Sequence, residues 1–354
     1  MSPKHAARIA FVGNYEHNGG SANALYGYVQ AAERLGYDVR ASSLGPVDRV
    51  VLSKIPVADD SWVPDLMVFA FETYQFLTTD ALDHIETLVP RARRVVIDQD
   101  GMYTPKIVVE SDTNHPTPQS RSTWSSLFER LSDTILQPCL DPTTPGVQSF
   151  LYFGFRRPHP GAESPGSAKA FDIVYVGNNW YRWHDLVRLC EELAAVRTKL
   201  GGVAVFGKWW NGETLVGCEE YTYSDPIFLY NHDVKIHPPV PFDQVERTMG
   251  RGRINPVFVR PVLHSLGFVT PRMFETFAAD TVPLLPADLK NAARLYGDRI
   301  SPLCPTPGAS AGDRVLEILR RYHDYVELAR EIGERLAQEH SYEVRLEELL
   351  GFGR

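Results

Sequence analysis

The feature that most restricts the fold is a repeated succession. A short apolar run ends at glycine or an acid, a loop follows, and then a segment carries apolar residues at helical spacing. Arg8-Ile-Ala-Phe-Val-Gly13 is the first such run. A strand this short, without polar alternation, is buried on both faces, as strands of parallel sheets are. Past the loop 14–20, Ser21 stands where a helix N-cap is expected. Leu25, Tyr28, Val29, Ala32 and Leu35 share one helical face, and Gly36 is placed as a C-cap. Residues 37–41 open the next strand. This strand–helix–strand unit is the building block of a parallel sheet.

The succession continues with strands expected at 66–71, 94–98 and 133–137 and a helix at 81–89. Residues 156–169, rich in Pro, Gly and Ser, read as an exposed connector. A second series begins at once. Strands are expected at 171–177, 203–207, 234–237, 254–259 and 281–285, and helices at 184–200, 242–249, 272–279 and from 313 onward. The 354 residues exceed what one core usually grows to, so two α/β domains are expected. The boundaries read as 1–155, a linker 156–169, a second domain 170–335 and a closing helix 336–354. Stretch 100–125 reads as a long polar loop, a kind of segment that often carries function.

Parallel sheets place ligands beyond the C-terminal ends of their strands. In the second half, two such ends carry Gly177-Asn-Asn-Trp-Tyr-Arg182 and Gly207-Lys208. Glycine admits close backbone approach, and Arg or Lys holds phosphate oxygens. The pattern fits a diphosphate pocket; it fits equally a pair of loop glycines with solvent-facing cations. Glu275 stands among Met273, Phe274, Phe277 and Ala278. An acid in that setting needs a partner: the hydroxyls of a ligand ribose, or a nearby arginine. Trp180, Tyr181, Trp183, Trp209 and Trp210 fall around the same loops, as stacking surfaces for a sugar or base or as packing.

Thr270-Pro-Arg-Met-Phe-Glu275, followed by Ala-Ala and then Val-Pro-Leu, resembles the donor half of GT-B glycosyltransferases, closest to the spore-coat-type branch. The tail His340-Ser-Tyr-Glu-Val-Arg345 resembles that branch's closing His-Thr-Tyr-x-x-Arg helix. Gly19-Gly20 before a helix, ending Leu35-Gly-Tyr-Asp-Val39, resembles the first unit of many GT-B enzymes. The resemblance implies two Rossmann-like parallel-sheet domains facing a central cleft, with a C-terminal helix closing the chain. It implies transfer of a sugar from a nucleotide-sugar donor, a UDP-sugar by family frequency, with no cofactor and no bound metal. Glu275 would bind the donor ribose, Arg182 and Lys208 the diphosphate beside Gly177 and Gly207, Arg272 would orient Glu275 or touch the donor, and Gly19 and Gly20 would approach the phosphates. Many retaining members carry an acid eight residues before this Glu; here Gly267 stands there.

An inverting enzyme needs a base in the first domain. Asp98, Asp100, Glu72 and His17 are the candidates, with His115 in a Pro-rich loop behind them. The carboxylates have plainer readings, turn caps for the Asp pair and a helix cap for Glu72, and His115 reads as solvent-exposed loop. The alternative to an enzyme is a non-catalytic nucleotide-sugar-binding protein or partner subunit on the same fold. A Rossmann oxidoreductase is disfavoured, because no Gly-x-Gly-x-x-Gly follows any strand. Net charge is −8, which does not favour nucleic acid as partner without excluding it. The acceptor stays open among natural product, glycan, protein and nucleobase. Four scattered cysteines without zinc spacing, and no apolar leader or membrane span, lead to the expectation of a cytoplasmic protein.

Overall fold

A computed structural model describes residues 7–16, 19–59, 61–104, 118–156, 169–286, 288–304 and 310–353. The chain divides into two compact units. The first comprises Met1–Gly154, Ser265–Pro271 and Glu339–Arg354, the second Phe155–His264 and Arg272–Gln338. Of the connector expected at 156–169, residues 157–168 lie outside the described residues.

In the first unit, strands β1 (Arg8–Val12), β2 (Asp38–Ala41), β3 (Leu66–Phe69), β4 (Arg94–Ile97), β5 (Thr134–Gln137) and β6 (Val147–Ser149) form a sheet in the order β2-β1-β3-β4-β5-β6. Every neighbouring pair is parallel. Because β2 and β3 lie on opposite sides of β1, the winding direction reverses between β1 and β3. Loops diverge at such a point and leave a crevice beyond the strand ends. The helices α1 (Gly20–Leu35), α2 (Thr79–Leu88) and α3 (Pro118–Leu131) accompany the sheet.

Sequence expectation and structure differ at three places in this unit. The helix α1 starts at Gly20 with Gly19 as N-cap, so Ser21 lies inside the first turn and caps nothing. Residues 118–131 are helical, so the segment expected as loop at 100–125 ends in α3. The strand β6 was not expected; Val-Gln-Ser is short and partly exposed, with no apolar run to announce it.

The C-terminal helix, Tyr342–Phe352, packs on α1 through a missing side chain. A Cβ at Gly27 would run into the Tyr342 ring. Tyr28 meets that ring edge-on at 5.1 Å and donates its hydroxyl to Tyr152 O at 2.8 Å. Arg34 pairs with Glu343 at 2.5 Å, and Tyr37 donates to Glu347 at 2.8 Å. Ser341 caps the helix by accepting from Val344 N–H.

In the second unit, β7 (Phe171–Val176), β8 (Val203–Phe206), β9 (Val234–His237), β10 (Gly252–Pro256) and β11 (Val282–Leu284) form a parallel sheet in the order β11-β10-β7-β8-β9. Here the winding reverses between β7 and β10. All six residues of β7 are buried, as a central parallel strand requires. The helix α4 (Trp183–Leu193) buries Leu186, Leu189, Cys190 and Leu193. It passes into a 3-10 turn at Ala194–Lys199, which breaks the single helix expected over 184–200. The short helix Arg272–Ala278 buries Met273 through Phe277, and the long helices Ala311–Arg320 and Tyr322–Glu339 complete the unit.

Candidate functional site

The second unit's candidate site begins where β7 and β8 end. Gly177 and Gly207 lie so close that a Cβ on Gly207 would enter the Gly177 carbonyl. Gly207 holds φ at 158°, a value that side chains disfavour. Gly177 N–H donates to Phe206 O at 2.7 Å, and Trp210 Nε1–H donates to Gly177 O at 2.8 Å. Two asparagines then tie the loops together. Asn178 Oδ1 accepts from Lys208 N–H at 2.9 Å. Asn179, fully buried, donates from Nδ2 to Trp209 O at 3.1 Å and Tyr223 O at 2.6 Å. Tyr181 and Trp209 both adopt left-handed backbone, at φ 57° and 64°. Each costs roughly 1–3 kcal/mol for a residue other than glycine, a strain that collects at ligand sites.

Arg272, at the start of the helix Arg272–Ala278, comes to the same place. A Cβ on Gly177 would lie 3.1 Å from Arg272 Nη2 and 2.9 Å from the Tyr175 hydroxyl, so the guanidinium rests against the bare Gly177 backbone. Arg272 Nη1 pairs with Glu275 at 2.9 Å, and its Cζ lies 5.7 Å over the Tyr175 ring. Behind this pair Arg156 pairs with Glu246 at 3.1 Å. The Glu246 carboxyl is raised above the ordinary range, first by burial, with Arg156 pulling it down and Glu275 pushing it up. Glu275 therefore holds Arg272 at the end of β7, where the winding reverses. Of the two sequence readings of Glu275, the arginine pair is present in the structure; the same pair fixes the direction of the guanidinium.

Gly177, Gly207, Lys208, Arg272 and Glu275 are thus brought together. Lys208 is exposed. Arg182, the N-cap residue of α4, donates one Nη1 to Trp180 O at 2.7 Å, so part of its fork serves its own loop. The aromatics separate into two groups. Trp210 is fully buried, and Trp183 packs edge-on against Tyr223 and Phe228; both are packing. Trp180, Tyr181 and Trp209 are half-buried. Trp180 lies 5.9 Å from Trp209, Tyr181 stacks on Tyr221 at 4.6 Å, and Arg260 covers Tyr181 at 4.9 Å.

The first unit's candidates collect at the β1–β3 reversal. Asp98 follows β4 and accepts from Met102 N–H at 2.7 Å, Tyr103 N–H at 3.1 Å and Gln137 Nε2 at 2.9 Å. Burial pushes it up to about 6 against these bonds. Its oxygens build the turn that follows the strand. Glu72 stays solvent-accessible yet has protein around its carboxyl. It is pushed up to about 7, by burial first and then by Asp100, while Ser21 and Gln99 pull it down. Glu72 does not cap α2; Thr78 does. Gly19 and Gly20 are exposed at the start of α1, and a Cβ on Gly20 would meet Pro271 at 3.6 Å. His17 and His115 lie outside the described residues.

Sequence reasoning missed Asn14, Gln99, Asn178 and Asn179. Paired asparagines after a strand-ending glycine were the available signal, since their amides satisfy loop backbone. Among the described residues no group of three or more His, Cys, Asp or Glu is placed to hold a metal ion, and no helix is long and apolar enough to cross a membrane.

Residues 182–351 match the model of the Glycosyl transferase-like family. Solved structures are similar over almost the whole chain. The phage T4 β-glucosyltransferase in complex with UDP and Mn2+ has a TM-score of 0.57 at 14% identity, covering 98% of this chain and 99% of that one. An α-glucosyltransferase in complex with UDP and a 13-mer DNA has a TM-score of 0.64 at 10% identity, covering 98% and 100%. The Anabaena HepE protein in complex with UDP-glucose has a TM-score of 0.63 at 12% identity, covering 97% and 98%. Among curated proteins none matches by sequence.

Proposed function

Starting from a chain with the GT-B fold and a glycosyl transferase-like domain over residues 182–351, we propose that it moves a sugar from a nucleotide-sugar donor, a UDP-sugar, to an acceptor hydroxyl, without a metal. The observation that carries the reading is Arg272 laid against Gly177 and braced by Glu275. A guanidinium fixed at the end of a parallel strand, over backbone with no side chain, suits a diphosphate that must come close. Lys208 on the adjoining loop supplies a second cation. As the sugar leaves, charge grows on the diphosphate, and cations already in place stabilise it without reorganising. Glu275 holds Arg272 and is assigned to the donor ribose as well.

The structures with UDP or UDP-glucose bound support this choice of nucleotide. One of them also holds Mn2+, so the test carries a metal arm. The net charge of −8 favours a natural product, glycan or protein acceptor over a nucleobase in DNA, because nucleic-acid affinity rests largely on Lys and Arg contacts to phosphate.

The test is calorimetric titration of the full chain with UDP, GDP, TDP and ADP, once in EDTA and once with Mn2+, for wild type and Arg272→Ala. Micromolar binding of UDP in EDTA, lost in the variant, is expected. No binding of any nucleotide overturns the reading. Binding only with Mn2+ overturns its metal-free part.

A further inference from the structure

Glycosyl transfer to a hydroxyl needs a group that takes the hydroxyl proton, and several carboxyls stand at the strand ends of the first unit. We propose that Glu72 is that general base and that Ser21, backed by Gln99, is the residue that positions its carboxylate; the inference rests on the glycosyl-transfer reading above. Four observations select Glu72.

Its place comes first. Glu72 lies just past the C-terminal end of β3, beside β1, where the sheet reverses its winding. That is the crevice in which such sheets bind ligands.

Its backbone is fixed from the β1 loop. Asn14 Oδ1 accepts from the N–H groups of Glu72 and Thr73, each at 3.0 Å, and Asn14 Nδ2 donates to Thr73 Oγ1 at 2.9 Å. The loop after β1 and the loop after β3 therefore behave as one piece.

Its carboxyl is aimed from two further elements. Ser21 Oγ–H donates to Glu72 Oε1 at 2.5 Å, and Gln99 Nε2 donates to Ser21 Oγ at 3.1 Å. Ser21 and Gln99 are both buried, whereas Glu72 is accessible. A buried hydroxyl in the first turn of α1, bonded to a buried amide after β4, holds one carboxylate oxygen in place and leaves the residue facing solvent. Ser21 is therefore engaged in the site rather than in capping α1.

The neighbouring acid serves another purpose. Asp98 is only 1% exposed and accepts three bonds from its own turn and from Gln137. It has no face to offer an acceptor.

Asp100 is the charged group that acts on Glu72. The buried phenols of Tyr15 and Tyr152 lie close enough for the Glu72 charge to act on them. Burial and the Asp100 carboxylate push Glu72 up to about 7. A base is most effective when its proton affinity lies near the working pH.

The step balances as a single displacement. The acceptor O–H gives its proton to the Glu72 carboxylate, and the acceptor oxygen bonds to the anomeric carbon. The bond from that carbon to the diphosphate oxygen breaks, and its electron pair leaves with the nucleoside diphosphate. The anomeric configuration inverts. Gly267, where retaining relatives of the motif carry an acid, agrees with a mechanism that needs no second carboxylate near the sugar.

The experiment uses the full chain with UDP-glucose and water as acceptor, read as UDP release, in wild type, Glu72→Gln and Ser21→Ala. Glu72→Gln is expected to lower kcat by about a hundredfold or more while UDP affinity by calorimetry stays unchanged. Ser21→Ala is expected to move the acidic limb of the kcat profile to higher pH, because the lost hydroxyl bond had favoured the ionised carboxylate. A residue with only a structural role would leave that limb in place. Independently of turnover, carbon NMR of glutamate-labelled wild type should show a carboxyl titrating near neutrality that is absent in Glu72→Gln. Wild-type turnover in Glu72→Gln, or no such carboxyl, overturns the proposal. Loss of UDP binding by the wild type would instead overturn the donor-site reading.

Discussion

Arg272 reaches back along the second unit to rest its guanidinium on Gly177, with Nη2 3.1 Å from where a Cβ would stand. The two residues are far apart in sequence, yet each is explained by the other: the glycine leaves the space and the arginine uses it. Gly177→Ala should therefore act on the guanidinium before it acts on the fold. The new methyl presses on Nη2, the far end of a long side chain, and on the ring end of Tyr175, which is buried. UDP affinity is expected to fall about tenfold, equivalent to about 1.4 kcal/mol, with the fold retained at a lowered melting temperature. Calorimetric titration beside thermal unfolding checks it. Unchanged affinity would mean that the arginine's position does not matter to the ligand.

Glu275 is 7% exposed and paired with Arg272 at 2.9 Å. Removing one partner of a buried pair leaves the other charge without compensation. Glu275→Ala is expected to cost about 3 kcal/mol, the low end of the range for buried pairs because Arg272 keeps some solvent access. Replacing both residues with methionine removes both charges and should recover much of that loss. The double variant should still fail to bind UDP. Urea unfolding of the two variants, with calorimetry on each, separates the stabilising role of the pair from its ligand role.

How far the sequence was legible follows from whether the signal was local. Strand-ending glycines announced Gly177 and Gly207, because a parallel strand followed by glycine is a pattern a few residues long. Ser21 was misread because a hydroxyl after two glycines has the chemistry of an N-cap; only the fold brings Glu72 within 2.5 Å of it. The helix α3 was missed although Trp124, Leu127, Phe128 and Leu131 keep helical spacing, since residues 118–123 before them are polar apart from Pro118 and do not extend the period. The assignment of Ser265–Pro271 and Glu339–Arg354 to the first unit was invisible. It depends on pairings such as Val269 N–H with Pro138 O at 2.6 Å, between residues that no pattern connects.

Gly27 is one such long-range position that can be tested directly. It lies mid-helix, where glycine costs about 1 kcal/mol relative to alanine, so helix propensity alone predicts that Gly27→Ala stabilises. The Tyr342 ring occupies the space of the new Cβ and packs at 5.1 Å against Tyr28. Overpacking of this kind typically costs about 1–3 kcal/mol. The net expectation is destabilisation, with the C-terminal helix loosened first. Hydrogen exchange should show lost protection in Tyr342–Phe352 before the rest of the unit. A more stable variant would mean that the helix moves aside at little cost.

Glu72 gives a prediction in which stability and activity move in opposite directions. Its carboxyl is raised from the ordinary 4.5 to about 7, mainly by burial. The folded protein therefore binds this proton more tightly than the unfolded chain does. Between pH 4.5 and 7 the unfolded chain releases the proton while the folded protein keeps it, so stability falls as pH rises through that window and levels off above it. Glu72→Gln has no proton to lose there. The variant and wild type should melt at similar temperatures at pH 4, and the variant should melt higher at pH 8, by an amount reduced through the solvent access of the residue. Scanning calorimetry at the two pH values reads this without any substrate. A variant that melts lower at pH 8 would show that the ionised carboxylate stabilises the fold, and that its surroundings are arranged for structure rather than for taking a proton.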